Sequence, residues 1–171
     1  LSEQEKFIEE LIEIVEREKV DMILLAGDVY DTYNPPAAAE QLFYKSMKEL
    51  SKEGQRPILV IAGNHDNAER LTAASPLTYE QGILLLGTSQ NRVPTGKYKG
   101  FEILESGEYY ITLSIKDEQA VVLALPYPTE KTLNEILTRD ADEEVMQQPY
   151  SQRIGSLFQN LSKHYREDTI N

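Results

Sequence analysis

The sequence predicts an α/β fold in which a parallel β-sheet is flanked by helices. Two observations carry this: helical and strand patterns alternate along the first half of the chain, and both strands are short apolar runs that stop at a glycine. Unbroken rather than alternating apolarity suits a strand covered on both faces, and such strands belong to parallel sheets with helical crossovers.

The elements follow in order. Phe7, Ile8, Leu11, Ile12, Ile14 and Val15 fall within about 160° of a helical wheel, with Glu9, Glu13, Glu16 and Arg17 opposite, which predicts an amphipathic helix from Glu3 to Lys19. Asp21 leads into the run Met22-Ile23-Leu24-Leu25-Ala26, ended by Gly27. Asn34-Pro35-Pro36 makes a helix start, with proline in the first turn where its missing N–H is not needed. Leu42, Phe43, Ser46, Met47 and Leu50 continue at helical spacing, and Gly54 is the stop. The second run, Pro57-Ile58-Leu59-Val60-Ile61-Ala62, ends at Gly63. Helix, strand, helix, strand predicts neighbouring parallel strands. Ile83 to Leu86 reads as a third short strand. Tyr109 to Ile115 with Ala120 to Leu125 reads as a hairpin around Lys116-Asp117-Glu118-Gln119, and Tyr150, Ile154, Leu157, Phe158, Leu161 and Tyr165 mark a last helix.

At 171 residues and 40% apolar content the chain can bury one sizeable core, so residues 1–171 are expected to form a single domain. The absence of cysteine excludes a disulfide framework and a thiolate metal site, and fits a reducing cytoplasm. No segment approaches the roughly 20 apolar residues that span a bilayer, so no membrane association is expected. The excess of 29 acidic over 17 basic side chains, a net charge of -12, weighs against a protein that coats DNA with its own surface. Bound divalent cations and a partner subunit would have to supply the positive charge.

The chemistry is expected where the two runs end. The first gives Gly27-Asp28-Val29-Tyr30-Asp31 and the second Gly63-Asn64-His65-Asp66. Carboxyl ends of adjacent parallel strands line one crevice, so Asp28, Asn64 and His65 should converge. Carboxylate, amide oxygen and imidazole are ligand types for manganese, iron, zinc or magnesium, and a carboxylate can bridge two ions. A Gly-Asp or Asn-His pair alone is ordinary turn chemistry; the pairing at consecutive strand ends makes the site.

These two segments resemble the second and third motifs of the calcineurin-like metallophosphoesterases. The resemblance implies an α/β sandwich of β-sheets flanked by helices. Asp31-Thr32-Tyr33-Asn34-Pro35-Pro36, Arg70-Leu71, Ala74-Ser75-Pro76-Leu77 and Ala124-Leu125-Pro126-Tyr127-Pro128 narrow it to the SbcD family of DNA-repair nucleases. By that resemblance Asp28 bridges two metal ions and Asn64 is a ligand to one. His65 is the catalytic histidine, Asp66 fixes its tautomer, and Asp31 lies in the second shell or near the substrate. The implied cofactor is manganese, with magnesium or another divalent ion as substitutes. The implied partners are DNA, the ATPase SbcC, and a second copy of the chain held through the helices after the two motifs. The family's Asp-x-His motif and its late histidine motifs are absent here, since His65 and His164 are the only histidines; they are expected before Leu1 and after Asn171, leaving the catalytic domain incomplete and inactive alone. His164 is expected at a solvated helix position. Two other readings share the same residues: a phosphoesterase acting on small nucleotides or phosphoproteins, and a noncatalytic dimerisation or docking piece.

Overall fold

The computed structural model describes residues 2–140 and 149–171. Helix α1 (Ser2–Arg17) turns at Lys19 into strand β1 (Ile23–Ala26); helix α2 (Ala37–Leu50) leads to β2 (Ile58–Ile61). Short helices α3 (Ala68–Thr72) and α4 (Ser75–Thr78), with a 3-10 turn at Tyr79–Gln81, connect to β3 (Ile83–Leu86). The three strands are parallel in the order β1-β2-β3. A second, antiparallel sheet follows in the order β4 (Gly96–Lys97), β5 (Phe101–Gly107), β6 (Tyr110–Ile115), β7 (Glu118–Leu123). Helices α5 (Glu130–Asp140) and α6 (Tyr150–Leu161) come last, the latter running into a 3-10 turn at Ser162–His164.

Strand periodicity sorts the core into two layers. In the parallel register Leu59 lies beside Leu84, and their side chains pack with Leu86 against Phe101, Ile103, Ile111 and Leu113 of the antiparallel sheet. The alternate residues Ile58, Val60, Ile83 and Leu85 point the other way, onto Val15 of α1 and Phe43, Met47 and Leu50 of α2. The sandwich of sheets is thus covered by helices on its parallel face. A third cluster, Tyr109 with Leu133, Leu137, Leu157 and Leu161, seats α5 and α6 on the strand pair β6-β7.

Several sequence expectations change here. The described residues do not cover strand β1 on both faces: the antiparallel sheet packs over β2 and β3, and Leu24 is 60% exposed. Phe43 and Met47 are buried core residues, so this part of the α2 stripe faces the sheet. The hairpin turn is tighter than expected, with Lys116-Asp117 between the strands and Lys116 in the left-handed region. Strands β4 and β5 and helices α3, α4 and α5 were not expected; β5 buries only Phe101 and Ile103, with Leu104 exposed and the rest charged or small, a weak strand signal. His164 is not simply solvated: its ring stacks on Tyr110 at 3.6 Å.

Candidate metal centre

After Ala26 the chain turns through two consecutive left-handed residues, Gly27 (φ 83°) and Asp28 (φ 47°). Glycine adopts this conformation freely, and aspartate tolerates it better than most residues because its short polar side chain bonds locally. The turn leaves Asp28 exposed at the strand end. Gly63 answers it from β2. A Cβ at Gly63 would collide with the Asp28 backbone nitrogen and Oδ1, and a Cβ at Gly27 would stand 2.9 Å from the Gly63 Cα. The two strand ends therefore touch backbone to backbone, which brings the side chains that follow each glycine together.

The His65 N–H donates to Asp28 Oδ1 at 3.1 Å. The Asn64 amide abuts the same carboxylate: with its NH2 turned inward it donates to Asp28 Oδ1 and Oδ2, each at 3.3 Å. With its oxygen turned inward three oxygens face one another, an arrangement that needs a cation among them. Asp28 and Asn64 thus fit one edge of the oxygen shell of a hard divalent ion. They do not fill it, for among the described residues no three His, Asp or Glu side chains come together as a metal-binding group. The His65 imidazole is exposed beside them and makes no hydrogen bond among the described residues. Asp31, also exposed, lines a groove between α1 and α2 that includes Asp28, Thr32 and Phe7.

Asp66 does something other than expected. The residue is buried, 7% exposed, and its carboxylate bonds to backbone. Oδ2 accepts from the N–H groups of Gly63 (2.7 Å) and Val29 (3.1 Å), and Oδ1 accepts from that of Tyr30 (3.0 Å). Both carboxylate oxygens serve the backbone, and no bond from the His65 imidazole to Asp66 occurs among the described residues. The loop after β1 has a second anchor in Tyr30, whose ring meets Phe43 edge-on at 5.7 Å and whose phenol burial pushes well up, so it stays protonated. Behind the site Asn67 caps α3 by accepting from the Arg70 N–H at 3.0 Å. The Tyr127 N–H donates to the Ala62 carbonyl at 2.8 Å, setting Pro126-Tyr127-Pro128 against the end of β2 with the Tyr127 ring 53% exposed. Proximity of Tyr127 to the centre had no signal in periodicity; it depends on a contact between residues far apart in sequence, Tyr127 and Ala62.

A family model for calcineurin-like phosphoesterases matches residues 2–161. The chain belongs to the calcineurin-like phosphoesterase family. Among relatives, it is 45% identical over 170 residues to the protein named as the D component of nuclease SbcCD in Bacillus subtilis, and 36% identical over 129 residues to its namesake in Rhodobacter capsulatus. These alignments cover 99% and 74% of this chain but 40% and 30% of the two relatives. The chain therefore spans less than half the length of these relatives. In this calcineurin-like phosphoesterase the matched region contains every residue of the two glycine-ended loops.

Proposed function

We propose that the chain is part of the single catalytic domain of a metal-dependent nuclease, which hydrolyses DNA phosphodiester bonds in double-strand-break repair and recombination as the SbcD component of an SbcCD-type complex. The observation that supports this most is the meeting of Asp28 and Asn64, one oxygen-bearing side chain from each strand end, beside an exposed His65. The likeness to proteins named for the D component of nuclease SbcCD supports the choice of DNA as substrate and of the ATPase SbcC as partner.

In this reading Asp28 and Asn64 hold manganese, or magnesium in its place, and further donors come from the rest of the intact protein. Two divalent ions supply charge stabilisation at the attacking and leaving oxygens. His65 donates a hydrogen bond to the scissile phosphate and a proton to the departing oxygen, and its exposed ring is free to reach a substrate. Asp31 shapes the substrate side of the same loop. A homodimer contact would use exposed apolar residues in and around the helices after the two motifs, such as Tyr33 and Leu77, since α2 turns Phe43 and Met47 inward. The compartment is the cytoplasm.

The net charge of -12 favours a second reading, a phosphoesterase for small nucleotides. The two separate in one experiment: the intact protein is assayed with manganese on linear duplex DNA and on a small chromogenic phosphodiester, with and without chelator. Chelator-sensitive degradation of DNA supports the nuclease. Turnover of the small ester with none of DNA would establish the alternative.

A further inference from the structure

Asp28 and Asn64 belong to loops that are separate in sequence; the pairing of β1 with β2 ends at Ala26 and Ile61, and beyond it the His65 N–H to Asp28 Oδ1 is one bond between the loops. Backbone contact at Gly27 and Gly63 prevents a side chain from separating them, yet contact alone does not hold them together. The His65 bond uses the Asp28 carboxylate itself, so the backbone of the two loops needs a tie of its own. We infer that Asp66 is the positioning residue of this centre, a buried carboxylate clamp that sets the separation of Asp28 and Asn64.

The placement of its donors carries the inference. A single oxygen, Oδ2, receives the N–H of Val29, the residue directly after Asp28, and the N–H of Gly63, the residue directly before Asn64. The other oxygen receives the N–H of Tyr30, one residue further along the first loop. The clamp thus grips the immediate chain neighbour of each side chain proposed to hold the metal. All three partners are donors, so the group between them must accept at both ends. An ionised carboxylate does this, and its bonds to N–H groups are about twice as strong as those of a neutral acceptor. An amide accepts at one end only and turns an NH2 toward donors at the other. This explains why an acid sits at a 7% exposed position with both oxygens spent on backbone rather than on substrate or imidazole.

The role rests on the metal reading proposed above, and the experiment separates the two. Manganese affinity by calorimetry and amide hydrogen exchange at Gly63, Val29 and Tyr30 are measured in the intact protein, its Asp66→Asn variant and Leu133→Ala. Leu133 is buried between α5 and α6, and its truncation lowers stability through packing alone. Asp66→Asn is expected to lose about 10- to 100-fold in manganese affinity, the range for outer-shell groups of metal sites, and to lose exchange protection at the three amides. Leu133→Ala is expected to keep wild-type affinity. Unchanged affinity in Asp66→Asn, or an equal loss in Leu133→Ala, would overturn the assignment. If Asp66→Asn does not fold, Asp66→Glu keeps the charge but displaces both oxygens, and a folded Asp66→Glu with wild-type affinity overturns it equally. Wild-type protein that takes up no manganese refutes the metal reading, and the exchange data then decide the clamp: unaltered protection at the three amides in the variant overturns it.

Discussion

At His65 the backbone and the side chain have separate tasks. The N–H is bonded to Asp28 Oδ1, while the ring is exposed and unengaged among the described residues. Truncation in His65→Ala should leave the bond to Asp28 intact, so fold and manganese affinity are expected to persist while DNA cleavage by the intact protein falls by about two to four orders of magnitude. Single-turnover kinetics beside a manganese titration check this, and unchanged turnover would remove the imidazole from the mechanism. Gly63→Ala acts through space instead. Its methyl would collide with the Asp28 nitrogen and Oδ1, so the loops must part; a loss of about 1–3 kcal/mol in stability is expected, read from a denaturant midpoint. That Asp28, Asn64 and His65 lie together was legible in the sequence because both apolar strand runs end at a glycine, and the ends of neighbouring parallel strands share a crevice. The task of Asp66 was not. A sequence does not distinguish a carboxylate beside its neighbour's imidazole from one folded beneath the loop, and two of its three donors lie 36 and 37 residues away.

Among the elements, β2 and β3 were readable because uniform apolarity reflects uniform burial, with Ile58, Val60, Leu84 and Leu85 fully enclosed. Strand β5 was obscured because Glu102 and the exposed Leu104 alternate with core residues and a register shift between Ile103 and Glu105 breaks the period, and the apolar run of β1 suggests double cover although Leu24 is largely exposed. Helix α2 is legible from its spacing, but only the sheet beneath it assigns its stripe to the core rather than to an interface. Phe43 is 8% exposed and meets Tyr30 and Tyr44 edge-on, so Phe43→Glu is expected to unfold the protein rather than yield a soluble monomer. Circular dichroism with sedimentation distinguishes these outcomes; a folded variant would place Phe43 outside the core. The C-terminal turn has a pH dependence of its own. Burial, followed by the charge of Lys163, holds the His164 imidazole below its ordinary pKa while Glu105 opposes the shift. Because the folded value is depressed, the folded state binds fewer protons; stability is fully present above the unfolded histidine's pKa of about 6.5 and is lost as pH falls through it toward the folded value. Exchange protection around Ser162–His164 should therefore fall on mild acidification, and this dependence should flatten in His164→Gln.

Over the whole molecule, the two sheets and the helical cover bring one carboxylate and one amide oxygen donor to a shared edge, in a chain whose net charge is -12. Two donors offset the dehydration of a divalent ion poorly, so the 171-residue chain on its own is expected to bind manganese weakly and to show no turnover of DNA. Tight calorimetric binding of two ions, with metal-dependent degradation, would mean that other groups in this chain complete the centre. The central claim, that the Asp28 carboxylate is a metal ligand in a nuclease site, is tested most directly by manganese-dependent degradation of linear duplex DNA by the intact protein and its Asp28→Asn variant. The account expects the wild type to cleave only with metal present and the variant to lose about a hundredfold or more while remaining folded. A folded Asp28→Asn protein that degrades DNA at the wild-type rate would contradict it.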